Sequence, residues 1–429
     1  MRKLYVPFLA MADEIITGLD IGTSSIRIAI CKVAPSADGK PVLHVVGAVS
    51  SPSAGMHKGA VSSMEDAVSA VSKALEKSER MTGIGVNSVW ASIAGQSILV
   101  QESRGAVAVA RPEGEISEGD VERSMEAART VAVPSNYEIL HVIPKGFAVD
   151  GQRGIKDPVG MSGIRLEVDA VIIEALNSHM KNLTKSVYRT GLDIDDLVYA
   201  PLATAEAVLT QRQKELGVCL VTVGSATTSL AVFEEGDLLH TTVLPLGGDH
   251  VTNDIAIGLR TSIDIAEQVK IAYGHAVPDE VDRKDQFILR DFGAEADDEV
   301  KRRFVAEIIE ARMEEIFEAI DNELRKIDRS GMLPVGVVFT GGAMKTPGAI
   351  EVAKRVLRLP CAVGTPVGVM SVLDEVQDPS FATAIGLASW GYGIRQVSSS
   401  KFSFGKMIPL KSMDKVADQL RKWMKSLIP

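Results

Sequence analysis

A strand, a turn of small residues and a second strand occur twice in this chain at one interval, and no other feature limits its fold as severely. The first copy is Ile15-Ile16-Thr17-Gly18-Leu19-Asp20-Ile21-Gly22-Thr23-Ser24-Ser25-Ile26-Arg27-Ile28-Ala29-Ile30. The second is Leu220-Val221-Thr222-Val223-Gly224-Ser225-Ala226-Thr227-Thr228-Ser229-Leu230-Ala231-Val232, offset by 202 positions without a gap (Gly22 to Gly224). Ile28 then falls on Leu230, Ala29 on Ala231 and Ile30 on Val232. Apolar runs of strand length bounded by Gly, Ser and Thr read as buried strands joined by a tight turn. Repetition in register implies a duplicated fold with a Gly/Ser/Thr turn in each half. Such turns let the backbone approach a ligand closely and offer N–H and hydroxyl donors to phosphate oxygens. Either turn alone reads as an ordinary connection; together they can clamp a polyphosphate.

A third glycine turn follows the apolar run Val335-Gly336-Val337-Val338-Phe339-Thr340, as Gly341-Gly342-Ala343-Met344, with a helix expected from Pro347 to Leu357. Ligands of α/β folds sit at such strand ends, although a plain strand-to-helix turn has the same sequence signature. Two insertions separate these motifs. Ser97 to Glu174 has its own rhythm, with strands at 105–109, 138–143 and 166–173 and an amphipathic helix around Asp120 to Val131. Ala256 to Asp328 is helical and ends in a long helix with Phe304, Ile308, Ile309, Met313, Ile316, Ile320, Leu324 and Ile327 at helical spacing, a stripe that reads as core.

The 429 residues suffice for about three domains or one large α/β fold with insertions. No apolar run reaches the roughly 18 residues of a spanning helix, so the expectation is a chain that does not cross a membrane. Cys31, Cys219 and Cys361 lie far apart in apolar stretches, as reduced buried thiols do, which favours the cytosol. Arg2, Lys3, the apolar Leu4 to Leu9 and Ala10-Met11-Ala12 imitate a signal peptide, but the run is short and holds Pro7; Met11 is a second candidate start. The net charge of −10 opposes broad nucleic-acid binding. It is unevenly spread: from Pro379 to Pro429 eight Lys/Arg face two acids. The sequence holds no GxxxxGK[ST], GxGxxG, HExxH or GxSxG pattern and no Cys/His pairing. His141 reads as packed within its strand. Any ligand chemistry rests on the paired hairpins.

Further motifs are His141 through Gly151, Asp157-Pro158-Val159-Gly160-Met161-Ser162-Gly163-Ile164-Arg165-Leu166-Glu167-Val168, Pro201 through Leu209, Gly247-Gly248-Asp249-His250-Val251-Thr252-Asn253-Asp254-Ile255-Ala256 and Ala266-Glu267-Gln268-Val269-Lys270. With the hairpins and the Gly-Gly turn, they make the chain resemble the superfamily of actins, heat-shock chaperones and sugar kinases, and within it the FtsA family of bacterial cell-division proteins. Coverage runs from about residue 15 to 395, plus the tail. The segment from Asp157 to Val168 is its most specific part, because other superfamily members lack that insertion.

The resemblance implies an actin-like two-lobed ATPase fold of duplicated RNase H-like domains, with an inserted α+β subdomain and a C-terminal amphipathic helix. The first lobe would comprise 13–96, 175–205 and 374–395, with 97–174 inserted. The second would comprise 206–255 and 330–373, with 256–329 as its helical subdomain. ATP would lie between the lobes. Asp20 would hold Mg²⁺ through water, as suits a hard hydrated cation. Gly22, Thr23 and Ser24 with Gly224, Ser225, Ala226, Thr227 and Thr228 would take the phosphates. Gly247 and Gly248 would join the nucleotide site, Glu267 and Lys270 would meet the ribose and base edge, and Gly341, Gly342 and Ala343 would flank the adenosine. One departure matters. Where the family's second loop has Asp, Gly-Gly and Asp, this chain has Thr222, Ser225-Ala226 and Ser229, and Ala200 stands before Pro201 in place of an actin-like catalytic Glu. No catalytic residue is expected, and the chain reads as an ATP-binding assembly switch with weak or absent ATPase activity.

After a linker (396–412), a final helix (413–428) places Val416, Leu420, Trp423, Met424 and Leu427 on one face, and Arg421, Lys422 and Lys425 on the other. Such a helix lies in the plane of an anionic membrane surface, each basic residue adding about 1 kcal/mol; the competing reading is a helix docked on the chain's own core. One short helix binds weakly, so firm attachment needs several tails joined by self-assembly. The resemblance then implies a peripheral protein on the cytoplasmic face of the cell membrane at the division site. It would polymerise, tether FtsZ through the helical insertion, and contact FtsN and other divisome proteins through Ser97 to Glu174. The alternatives are a scaffold like the pilus-assembly protein PilM and, through Asp20-Ile21-Gly22-Thr23 with Arg27, a sugar kinase.

Overall fold

The computed structural model of the chain describes residues 14–399, apart from 37–40, 111–113, 131–132 and 296–298. The expected amphipathic tail, with Val416 to Leu427, lies outside the described residues. The described residues divide into two compact units, one holding 14–98 with 176–393 and the other 99–175 with 394–399.

Strand β1 (Ile15–Ile21) is buried along most of its length, as a central strand covered on both sides is. It turns through Gly22 to Ser24 into the antiparallel β2 (Ser25–Pro35), and β3 (Pro41–Pro52) pairs antiparallel with β2. Helix α1 (Met64–Thr82), closed by Gly83 at φ 68, returns the chain to β4 (Ser88–Ile93), parallel to β1. The smaller unit follows as β5 (Ile98–Ala108), α2 (Glu118–Ala128), β6 (Tyr137–Val149), β7 (Gln152–Ile155) and β8 (Arg165–Leu176). Its sheet order is β5-β8-β6-β7. Val121, Met125 and Ala128 of α2 pack on Val142, Phe147, Leu166, Val168 and Ile172, a core of the unit's own. The first sheet is completed through α3 (Asn177–Tyr188) by β9 (Asp193–Tyr199), parallel to β4.

Helix α4 (Ala200–Val208), buried nearly all round, leads to the second sheet. There β10 (Val218–Val223), β11 (Thr228–Glu234) and β12 (Asp237–Leu244) run antiparallel, and β13 (Gly336–Thr340) and β14 (Cys361–Val363) add parallel strands. The orders β3-β2-β1-β4-β9 and β12-β11-β10-β13-β14 correspond strand for strand. The registers correspond too: Ile21 pairs Ile26 as Val223 pairs Thr228, and Leu19 pairs Ile28 as Val221 pairs Leu230. The repeat in the sequence is a repeat of the fold.

Helices α5 (Gly248–Leu259), α6 (Ile263–Tyr273) and α7 (Arg302–Lys326) carry the second insertion. Ile309, Met313, Ile316, Ile320 and Leu324 of α7 are buried, as the stripe anticipated, and Phe317 meets Phe339 edge to face at 5.4 Å. Phe304 departs from that expectation: it is 44% exposed, and the neighbouring Val305 and Ala306 take the buried side of that turn instead.

Helix α8 (Ala349–Leu357) begins two residues later than expected, because Thr346, Pro347 and the left-handed Gly348 form its lead-in. Val369–Met370, expected within the second lobe, instead pairs with Leu43 and His44 at the outer edge of the first sheet. Helix α9 (Ala382–Ser399) continues past residue 395, into the stretch expected as linker. It crosses α4 closely: a Cβ on Gly386 would stand 1.9 Å from the Ala203 carbonyl oxygen, and the Thr204 and Thr383 hydroxyls meet at 2.9 Å. Cys31, Cys219 and Cys361 are free thiols, all buried.

Candidate functional site

Both hairpin turns close with the same hydrogen bond. The N–H of Gly22 donates to the Ser25 carbonyl at 3.1 Å, and that of Gly224 to the Thr227 carbonyl at 2.9 Å. The turns line one cavity in the larger unit. Of the expected residues, Asp20, Gly22, Thr23, Ser24, Gly224, Ser225, Ala226, Thr227, Gly341 and Gly342 line it. Gly341 follows β13 at φ 93, and a Cβ there would lie 2.3 Å from the Val223 carbonyl oxygen, so glycine alone lets the third turn meet the second hairpin.

Asp20 sits at the end of β1, where burial pushes its carboxyl above the ordinary range while the Ser92 hydroxyl donates to Oδ1 at 2.7 Å and the Arg27 charge pulls the other way. One carboxylate with an oxygen to spare, facing glycine, serine and threonine turns, fits a hydrated cation carried with phosphates. Thr23 Oγ1 accepts from the Gly59 N–H at 3.0 Å, which ties the first turn to the tip of a short hairpin, Met56–His57 with Ala60–Val61.

Other expected residues stand behind this wall. Gly248 N–H donates to the Gly224 carbonyl at 2.9 Å, Asp249 N–H to Ser225 at 2.7 Å and Gly247 N–H to His250 Nδ1 at 3.2 Å. The first donors of α5 therefore brace the second hairpin instead of pointing at the cavity. Thr228 is fully buried and gives its hydroxyl to the Leu246 carbonyl, so its side chain is not presented to a ligand. Glu267 and Lys270 pair with each other at 2.6 Å and share Thr252, with Lys270 Nζ donating to its hydroxyl at 2.7 Å. Gly248 sits against Ala343 and Lys270, so Gly248, Lys270 and Ala343 form one neighbourhood beside the cavity.

Where the family carries its first second-loop Asp, the Thr222 hydroxyl is paired with Thr340 at 2.7 Å. Residues missed in the sequence also line the cavity: Gly59, Ser92, Gly95, His179, Ser380 and Thr383. Ser92, a hydroxyl inside the apolar run Val89 to Ile93, carried the one available signal. Among the described residues no group of three or more His, Cys, Asp or Glu could hold a metal, and no helix is long and apolar enough to cross a membrane.

Two sheets that share an order of five strands, and whose equivalent hairpins face one cavity, define an actin-like protein. The solved fold neighbours agree: the PilM-PilN type IV pilus biogenesis complex (TM-score 0.64, 18% identity, 89% of this chain and 99% of that one) and MreB5 of Spiroplasma citri bound to ADP (TM-score 0.55, 12% identity, 90% and 99%). The likeness at these identities is one of fold. Residues 219–386 match the family model "Cell division protein FtsA", and 95–174 match "SHS2 domain inserted in FTSA". The cell division protein FtsA of Pseudomonas aeruginosa is 36% identical over 417 residues, 96% of this chain and 98% of its own length. The chain belongs to the FtsA family of cell division proteins.

Proposed function

We propose that this chain binds ATP with Mg²⁺ in the cavity, polymerises on the cytoplasmic face of the cell membrane and tethers FtsZ filaments there while recruiting FtsN and other divisome proteins. The observation that carries the reading is the pair of equivalent hairpins facing one cavity, in a chain of a cell-division family. Gly22 to Ser24 and Gly224 to Thr227 would surround the phosphates with backbone and hydroxyl donors, and Asp20 would hold the cation through its waters. The bound cation would spread the phosphate charge. The residues at the second hairpin bear on turnover. Thr222 and Ser229 present no carboxylate to a water or metal, and the Thr222 hydroxyl is already paired, which supports nucleotide binding with little hydrolysis.

The helical insertion exposes apolar side chains suited to a partner. Ile257 is 76% exposed, and the adjoining Gly258 lies against Ile308 and Phe304. The basic amphipathic sequence from Val416 to Leu427 would join anionic lipid, and polymerisation would make that contact avid. The test is co-sedimentation with vesicles containing anionic lipid, with and without ATP, comparing the full chain with one ending at Ser412. ATP-dependent pelleting lost on truncation is the expected result. Equal behaviour of the two chains would refute the membrane tether.

A further inference from the structure

The chain leaves the larger unit for the insertion at one crossing and returns at another, and one side chain stands between these crossings and the cavity. Ser97 precedes β5, Leu176 ends β8, and the Leu176 N–H donates to the Ser97 carbonyl at 3.0 Å, which ties the two crossings together. His179, in the first turn of α3, adds a second tie, because its Nδ1 meets the Ser97 hydroxyl. The same imidazole is 5% exposed and lines the cavity. Burial pushes it below its ordinary range, so at neutral pH the ring is uncharged, with one N–H and one lone pair. The Gly59 backbone pulls the other way, as a carbonyl oxygen beside the ring does. That assigns the N–H to Nε2, towards the Gly59 carbonyl, and leaves Nδ1 to accept from Ser97. Yet Nε2 is buried without a completed hydrogen bond, an uncommon and costly state for a polar group. Donor and acceptor stand near each other and are not joined.

Gly59 connects this residue to the first hairpin turn. Its N–H donates to Thr23 Oγ1, and a hydroxyl that accepts there keeps its own proton to give. Lys58, just before it, has φ 49, a left-handed value that a lysine adopts only under constraint, so the tip is held in place. The arm after the tip, Ala60–Val61, packs against α3, the helix that carries His179. We propose that His179 is a ligand-sensing residue: a ligand that fixes Thr23 draws the Gly59 tip until its carbonyl closes on the His179 N–H, and the imidazole, held against Ser97, locks the two crossings of the insertion. The proposal rests on the nucleotide reading above and deepens it, by making the neck of the insertion responsive to nucleotide. Gly59 is grasped from two sides, through its N–H by Thr23 and through its carbonyl by His179, so ordering one side lowers the entropy lost in closing the other. The coupling is reciprocal, and whatever holds the crossings together also tightens ligand binding. His179 acts through its neighbours and is a positioning residue.

The experiment is hydrogen exchange of the full chain read by mass spectrometry, without nucleotide and with saturating ATP and Mg²⁺. It compares the unaltered protein with His179→Leu, Ser97→Ala and His179→Gln, each checked for an unchanged thermal unfolding profile. In the unaltered chain nucleotide is expected to slow exchange about 5-fold or more in two places, the hairpin turns (22–24 and 224–227) and the returning crossing (175–180), where the Leu176 amide reports. His179→Leu and Ser97→Ala are expected to keep the slowing at the turns and to lose it at the crossing. His179→Gln, which retains a donor and an acceptor, is expected to keep part of it. A merely structural histidine would alter the crossing equally with and without nucleotide, so a nucleotide effect there that survives in His179→Leu would overturn the proposal. Slowing at the turns alone in the unaltered chain would overturn it without any variant. Slowing at neither place would instead overturn the nucleotide reading, and this proposal with it.

Discussion

Asp196 lies beside a bulge in β9, where the pairing with β4 slips between Ile194 and Asp196. Burial, with a smaller push from the Asp195 charge, raises its carboxyl from 3.8 to about 7, against a hydrogen bond from the Leu197 N–H. Because the folded pKa lies above the unfolded one, the stability this group contributes is complete below about pH 4 and is lost as pH rises through 7. Asp196→Asn is therefore expected to flatten the decline and to raise stability at pH 8 by on the order of 2–4 kcal/mol. Denaturant unfolding at pH 4 and pH 8 checks it. Nothing in Asp193-Ile194-Asp195-Asp196 announces this environment, since burial at a bulge depends on the neighbouring strand. By contrast His141 sits in its strand as its apolar neighbours suggested, and burial holds its imidazole down at about 4. The apolar settings of Cys31, Cys219 and Cys361 likewise predicted buried thiols.

Elements were legible where their pattern is periodic. The stripe of α7 predicted its helix and most of its buried face, because helical spacing dictates which side chains share a side. The short Val369–Met370 strand was not legible, because two residues have no period and the pairing with β3 is made across more than 300 positions. The crossing of α4 and α9 was equally silent. Gly386 there reads as an ordinary helical glycine, yet a Cβ would press on the Ala203 carbonyl oxygen. Gly386→Ala is expected to cost about 1–3 kcal/mol by overpacking, despite the higher helix propensity of alanine. A lowered thermal midpoint checks it; an unchanged or raised midpoint would mean that the two helices move apart freely.

At the scale of the whole molecule, the smaller unit has its own four-stranded sheet and core. A fragment spanning residues 97–176 is expected to unfold cooperatively by itself, and Leu166→Ala, which empties a fully buried position, to destabilise it by about 2–5 kcal/mol. Circular dichroism against temperature would read both; a fragment with no transition would show that its core needs the rest of the chain. The duplicated hairpins, the place of the insertion and the glycine turns were determined by the sequence alone, because strand periodicity, turn chemistry and an internal repeat are local properties written residue by residue. The tertiary structure alone decided the wall of the cavity. It brought in Ser92, His179 and Thr383, turned Thr228 and the donors of Gly247 and Gly248 away, and set Arg27 beside Asp20 without joining them. These outcomes depend on which distant segments meet and which hydrogen bonds they leave unmade, and no local pattern encodes that.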